Sequence, residues 1–555
     1  MRITKSISLL IMGFSLMLSC KESQKAELII TNAKIWTGSE KQPAAQAMAI
    51  SGDSILAVGT NEEIQHFNGS STEVVDIQGG FITPGFIDTH VHLLGGGNGL
   101  LSVKLTDAKT PEEFTKRIAE YAKTVESGTW IMEGNWDHTL WGGALPTKEW
   151  IDRETKENPV FVYRLDGHMA LANNAAMKLA GIDKNSKDVA GGEIVRDKKG
   201  EPTGIFKDNA MNLILDQVPP FTEAQKLKAF KAATQYFLSN GVTSVHDVNG
   251  MNNSYESYSI AKQLNDANEL SVRVYAIAPL SGWKQLAGME PKVGKWMKTG
   301  GLKGFVDGSL GSHTAAFKDV YTDKPMDKGF FINTSEDLYQ WVSNADKVGL
   351  HVMVHAIGDS AIHSLLDIYK RVEQENGKKD RRFRIEHAQH LAPADINRFA
   401  ELGVIASMQP YHAIDDGRWA EQLIGPERIK TTYAFKSLLD SKAVVSFGSD
   451  WPVAPSTPLE GIYAAVTRST LDDKNPDGWV PEQKITVEQA LIGYTRSGAY
   501  ASFDENIKGT LEPGKLADFV VISEDLTKVD PIRIRELKVL LTYVGGKKVY
   551  DYKGN

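Results

Sequence analysis

Cysteine is almost missing from this 555-residue chain, which has one, Cys20. One thiol cannot close an internal disulfide, so a disulfide-stapled scaffold is excluded. Positive charge is not in excess either: 62 Lys and Arg stand against 70 Asp and Glu, for a net charge of -8. That balance, with no aromatic-basic motif, argues against nucleic acid as a partner. Long apolar runs are also lacking, since the one such stretch, 7–18, is too short for a mature membrane span. No low-complexity tract and no repeat of about 20 to 50 residues occurs, which excludes solenoids and propellers. What is present, 41% hydrophobic and 24% charged residues, is the composition of an ordinary globular protein. The length suits a large barrel-type catalytic domain with a smaller partner domain.

The first twenty residues differ from the rest. Arg2 and Lys5 precede the apolar stretch, which ends in Met17-Leu18-Ser19-Cys20. This is the layout of a secretory signal rather than of a fold element. A cysteine placed directly after a small residue resembles the lipidated residue of a bacterial lipoprotein. Residues 1–20 then read as the signal, Cys20 as the lipidation site and 21–26 as a polar tether. The other reading is a plain cleaved signal with an incidental cysteine. Both predict export, and the first predicts a lipid anchor as the only membrane contact, with the protein facing the periplasm or the cell surface.

Short strands separated by Gly, Asn and Asp are predicted at 27–30, 47–50, 54–58 and 73–76, and again at 517–522 and 539–544. Neither end can form a core alone. Segments 27–80 and 508–552 are therefore expected to join in one small β-sandwich. Between them, strand-like runs at 85–90, 241–247, 272–279, 302–307, 351–356, 382–387, 403–408 and 443–449 alternate with helical stretches such as 223–239, 359–374 and 430–440. The predicted fold is α/β: a (β/α)8 TIM-like barrel over 81–507. Residues 93–220 are too long for one connection and read as an insertion after the first barrel strand, rich in Trp130, Trp136, Trp141 and Trp150.

His90 and His92 end the first strand at i, i+2, so both imidazoles leave the same face. Thirteen randomly placed histidines would give about 0.3 such pairs, so convergence must carry the case. Active sites of barrels gather at the C-terminal strand ends. There the chain offers His355 at the fifth end, His387 at the sixth and Asp450 at the eighth, while the fourth strand begins at Lys303 and runs into Asp307-Gly308-Ser309. Imidazole and carboxylate suit Zn²⁺, and equally Mn²⁺, Fe²⁺ or Co²⁺. Coordination lowers the pKa of water to ~7.

The run Phe86-Ile87-Asp88-Thr89-His90-Val91-His92, with His355, His387 and Asp450, resembles the amidohydrolase superfamily. The blocks Gly134-Asn135-Trp136-Asp137, Arg164-Leu165-Asp166-Gly167-His168, Asp307-Gly308-Ser309-Leu310-Gly311-Ser312, Arg384-Ile385-Glu386-His387-Ala388-Gln389 and Gly448-Ser449-Asp450-Trp451-Pro452-Val453 are similar to those of its amidohydrolase-3, or YtcJ-like, family. The resemblance implies a metal-dependent hydrolase of C–N bonds in amide, N-acyl or N-formyl compounds. His90 and His92 would bind one metal and His355 and His387 another. Lys303, carboxylated by CO₂, would bridge the two metals, which the resemblance implies are Zn²⁺, with Mn²⁺, Fe²⁺ or Co²⁺ as alternatives. Asp450 would shuttle the proton released as activated hydroxide attacks. Arg164 and His168 would face the substrate. Two departures, His313 where the family commonly has Arg and Asp208 where it often has Glu, bear on the substrate more than on the reaction. His246, at the end of Val242-Thr243-Ser244-Val245-His246, is expected to line the pocket with His313. The competing functions are a hydrolytic deaminase of a ring amidine, with one metal and no bridging lysine, and a cell-surface binding lipoprotein without catalysis.

Overall fold

The computed structural model describes residues 25–164, 169–189, 192–248, 255–288, 294–311 and 313–553. The leader with Cys20, most of the tether, and His168 lie outside the described residues. Among those described, no helix is long and apolar enough to cross a membrane.

Eight parallel strands form the centre: β1 (Phe86–Val91), β2 (Val242–Val248), β3 (Arg273–Pro279), β4 (Met297–Phe305), β5 (His351–Ala356), β6 (Arg384–His387), β7 (Ile405–Met408) and β8 (Val445–Phe447). Each pairs with its sequence neighbour, from β1 to β8. Burial on both faces explains their nearly continuous apolar composition. Helices including Glu223–Ser239, Ser335–Lys347 and Asp359–Asn376 connect them, giving the expected α/β barrel. The first of these is started by a Thr222 capping box with Gln225.

Two expectations need correction. β4 begins five residues before 302, over Met297-Lys298-Thr299-Gly300-Gly301, a segment with little β-propensity that is held by pairing to β3. The stretch 430–440 is not one helix. A 3₁₀ turn, Ile429–Thr431, precedes a helix at Phe435–Asp440. Between them Tyr433 has φ +49°, incompatible with a right-handed helix, while its N–H donates to Gln389 O at 2.7 Å.

The barrel closes by a specific seam rather than a full ladder. Val91 and Trp451 form a parallel bridge, Asp450 N–H donates to His90 O and His92 N–H to Trp451 O, both at 2.7 Å. The Asp88 carboxylate, fully buried, accepts from Ser449 N, Ser449 Oγ and Ser456 Oγ at 2.9, 2.6 and 2.6 Å. Gly448 permits this approach: a methyl group there would stand 2.6 Å from His90 N and 2.9 Å from Asp88 Oδ1. Gly448→Ala is expected to cost about 1–3 kcal/mol through this overlap. Urea unfolding measures it, and an unchanged midpoint would show that the seam has slack.

Strands from both ends of the chain lie beside the barrel. Phe519–Ile522 pairs antiparallel with Phe81–Pro84 and with Val539–Val544 in a six-stranded sheet. A four-stranded sheet built on Leu28–Thr31 shares with it a core of Leu28, Ile30, Ile50, Ile82, Phe519 and Tyr543. A buried bidentate pair, Arg273 to Asp518 at 2.6 and 2.8 Å, ties β3 to that sheet. After β1 the chain builds a separate five-stranded sheet from Ile131–Trp136 to Pro202–Asp208. Trp136, Trp141 and Trp150 pack around Phe114 in the core on one of its faces. These tryptophans serve packing.

Candidate active site

The site is built outward from His90. β1 delivers it fully buried, and its Nδ1 lies 2.5 Å from Glu386 Oε2. Glu386 is gripped by Arg384, Nε to Oε1 at 2.7 Å and Nη2 to Oε2 at 3.0 Å. Arg384 in turn donates to Thr89 O and Ser407 Oγ. All of this is sealed from solvent. Burial opposes the Glu386 charge, yet Arg384, with His90 and Lys303, holds the carboxyl well below the usual range. Glu386 is therefore an anionic acceptor. Burial, reinforced by Lys303, lowers His90 to about 4, so its ring is neutral. A neutral imidazole donates from one nitrogen and offers a lone pair on the other. Because Nδ1–H serves Glu386, Nε2 carries the lone pair.

That Nε2 faces the other candidates. Lys303 Nζ is 3.2 Å away and Asp450 Oδ1 3.4 Å; His92 Nε2 is 3.0 Å from the same Asp450 oxygen. The His387 ring stands 4.7 Å from that of His90 and 4.5 Å from that of His355. The five strand ends that carry His90 and His92, Lys303, His355, His387 and Asp450 thus converge. His387 and Asp450 sit at φ +73° and +63°, conformations that cost about 1–3 kcal/mol each and persist only where surroundings dictate them.

The same reasoning gives the ligand nitrogens of His355 and His387. His387 Nδ1 donates to Gln409 Oε1 at 2.8 Å, leaving Nε2 as ligand atom. His355 Nε2 donates to Gly308 O at 3.0 Å, leaving Nδ1. Burial holds both rings neutral, His355 at about 3 and His387 well below the normal histidine value. Each metal-competent imidazole with a partner on one nitrogen and a lone pair on the other is the arrangement a metal site requires. The donor set therefore fits divalent ions bound by nitrogen and carboxylate. One ligand atom from each of His90, His92 and Asp450 lies within 4.8 Å of the others, and the same holds for His387, His412 and Asp450.

Lys303 is buried beside His90, with its Nζ 4.9 Å from the centre of the Phe305 ring. Desolvation brings its amine down to about 8, although Glu386 and Asp450 oppose the change. Asp450 shows the reverse: burial pushes it up, but the hydrogen bond with His92 helps to hold it well below the ordinary carboxylate value.

The remaining candidates make contacts of their own. Arg164, on Val160–Arg164 of the inserted sheet, is grouped with Asp137 (3.4 Å) and His138 (3.3 Å). His313 lies in the loop after β4, its Nε2 2.8 Å from Asp323 Oδ2 and its ring against Tyr321. His246 is fully buried inside the barrel, Nδ1 accepting from Arg384 Nη1 at 2.8 Å. Sequence reasoning passed over Glu386, Arg384, Gln409 and His412. Two charged residues at i, i+2 in the strand Arg384-Ile385-Glu386-His387 were the available signal, since an apolar strand tolerates such a pair only when it is mutually satisfied.

A parallel barrel whose strand ends collect neutral imidazoles, a buried lysine and an ionised carboxylate defines a metal-dependent hydrolase. The model of the amidohydrolase family, Amidohydro_3, matches residues 73–550, and the chain belongs to that family. Protein LONG AFTER FAR-RED 3 of Arabidopsis thaliana is 40% identical over 95% of this chain and 92% of its own length. N-substituted formamide deformylase of Arthrobacter pascens is 28% identical over 96% and 100%. Among solved structures, an uncharacterized metal-dependent hydrolase from Pyrococcus horikoshii OT3 superposes with a TM-score of 0.77 at 28% identity, covering 91% of this chain and 99% of that one.

Proposed function

We propose that this hydrolase cleaves the C–N bond of amide-type small molecules, N-acyl or N-formyl compounds included, with Asp450 as the proton shuttle. The observation that carries the reading is the junction of His90, His92 and Asp450 at one carboxylate oxygen, next to His387 and Lys303. His90 and His92 would hold one divalent ion and His355 and His387 a second. When bound, these ions supply Lewis acidity, polarising the scissile carbonyl and making water nucleophilic near neutral pH.

The chain's own groups supply the rest. Asp450, ionised at neutral pH, takes the proton of the water whose oxygen bonds to the carbonyl carbon. It then passes that proton to the nitrogen as the C–N bond breaks, so an acid and an amine leave. Glu386 keeps the His90 lone pair on Nε2, and Gln409 does the same for His387. Lys303, with its pKa near 8, would be about a tenth neutral at pH 7, enough to add to CO₂ with loss of a proton. The resulting carbamate is an anionic oxygen ligand suited to bridge two ions. The A. pascens relative, named as a deformylase of N-substituted formamides, supports testing that substrate class first. The secretory layout of residues 1–20 supports an exported protein anchored through a lipid on Cys20.

Metal analysis coupled to a panel of amides and N-substituted formamides tests this reading. Stripping with a chelator is expected to abolish amine release, and Zn²⁺, Mn²⁺ or Co²⁺ to restore it. Ammonia release from a ring amidine, with no turnover of any amide, would instead establish deamination.

A further inference from the structure

The seventh strand, like the second and third, is one for which the sequence suggested no metal ligand. After β7, Gln409 and Pro410 lead into the helix Pro410–Asp416. Proline fixes the start of that helix, which places His412 in its first turn. Side chains of helical residues lean toward the N-terminus, so His412 is directed back over the end of β7. The side chain follows that direction: a ligand atom of His412 lies within 4.8 Å of one from His387 and one from Asp450. His412 Nε2 is buried and has no hydrogen-bond partner among the described residues. An orphaned buried nitrogen costs about 1–3 kcal/mol, a penalty a ligand would relieve. The same short segment holds Gln409, which fixes the His387 ring. Residues 409–412 thus orient one imidazole and present another.

We infer that His412 is a metal ligand of this centre, holding the second ion together with His387, while Asp450 reaches both ions. This rests on the metal-hydrolase reading above and extends it to a strand end that reading leaves out. Asp450 belongs to two ligand trios, His90-His92-Asp450 and His387-His412-Asp450. Asp450 would then be shared by the two trios, and the 409–412 segment would position two ligands of the second ion.

The test is a Co²⁺ titration of the metal-stripped full chain, followed by calorimetry and by absorbance. Wild type is expected to bind two equivalents. His412→Ala is expected to keep the first and to weaken the second at least about tenfold, since losing a direct ligand costs no less than losing an outer partner. His412→Cys supplies a thiolate, and its cobalt form is expected to show a sulfur-to-cobalt charge-transfer band. Wild type, whose one cysteine is Cys20, gives the baseline. Two equivalents bound with unchanged affinity by His412→Ala, together with no band in folded His412→Cys, would overturn the assignment and leave His412 a cleft residue. Wild-type protein that takes up no cobalt would overturn the metal-hydrolase reading as well.

Discussion

Asp450→Asn is expected to lower kcat by about 10²–10⁴-fold, the range over which positioned acid-base groups act. The protein is expected to remain folded. Asn is among the few residues that accept a left-handed backbone, and position 450 has φ +63°. The seam bond from the 450 N–H to His90 O is made by the main chain and survives the change. What is lost is the basic oxygen. Wild-type Asp450 is held ionised, its hydrogen bond with His92 working against the cost of burial, whereas an amide cannot take a proton in this range. kcat and kcat/KM should fall together, the mark of an interaction needed in the transition state. Kinetics at saturating metal, with melting temperature measured alongside, separate this from loss of fold. Full activity in the variant would place the proton shuttle on another residue.

Much of the centre was legible in the sequence because its residues close strands, and strand ends can be read from where apolar runs stop. His90, His92, His355, His387 and Asp450 all follow that rule. His246 satisfies it too, yet it lies deep in the barrel. The reason is register. His246 pairs with Tyr275 and Lys303 with Pro279, so along β3 the histidine sits four residues below the lysine. Strands in a closed barrel are staggered, and counting back from each end does not give depth. The long lysine stem then carries Nζ up to His90 Nε2, a reach no imidazole has. His412 was illegible for the opposite reason: it belongs to a helix, and only the turn after Gln409 brings it back over the strand ends. The early start of β4 and the break at Tyr433 also depend on partners distant in sequence.

The largest stability effect is expected at Glu386, and it separates two roles of one carboxylate. Glu386→Gln leaves the Arg384 guanidinium buried with no anion, a change that costs about 3–5 kcal/mol when one member of a buried pair is removed. It also replaces the anionic acceptor of His90 Nδ1, which is expected to weaken metal binding by about 10–100-fold. The two losses have different remedies. Replacing Arg384 by Met in the same chain removes the stranded cation, and buried pairs exchanged for apolar groups are often neutral in stability. The double variant Arg384→Met with Glu386→Gln should therefore recover much of the lost stability in urea unfolding. Its zinc affinity should stay low, because no carboxylate has returned to His90. If zinc affinity recovered with stability, the role of Glu386 would be to balance Arg384 alone, and the orientation of His90 would have to come from the strand itself.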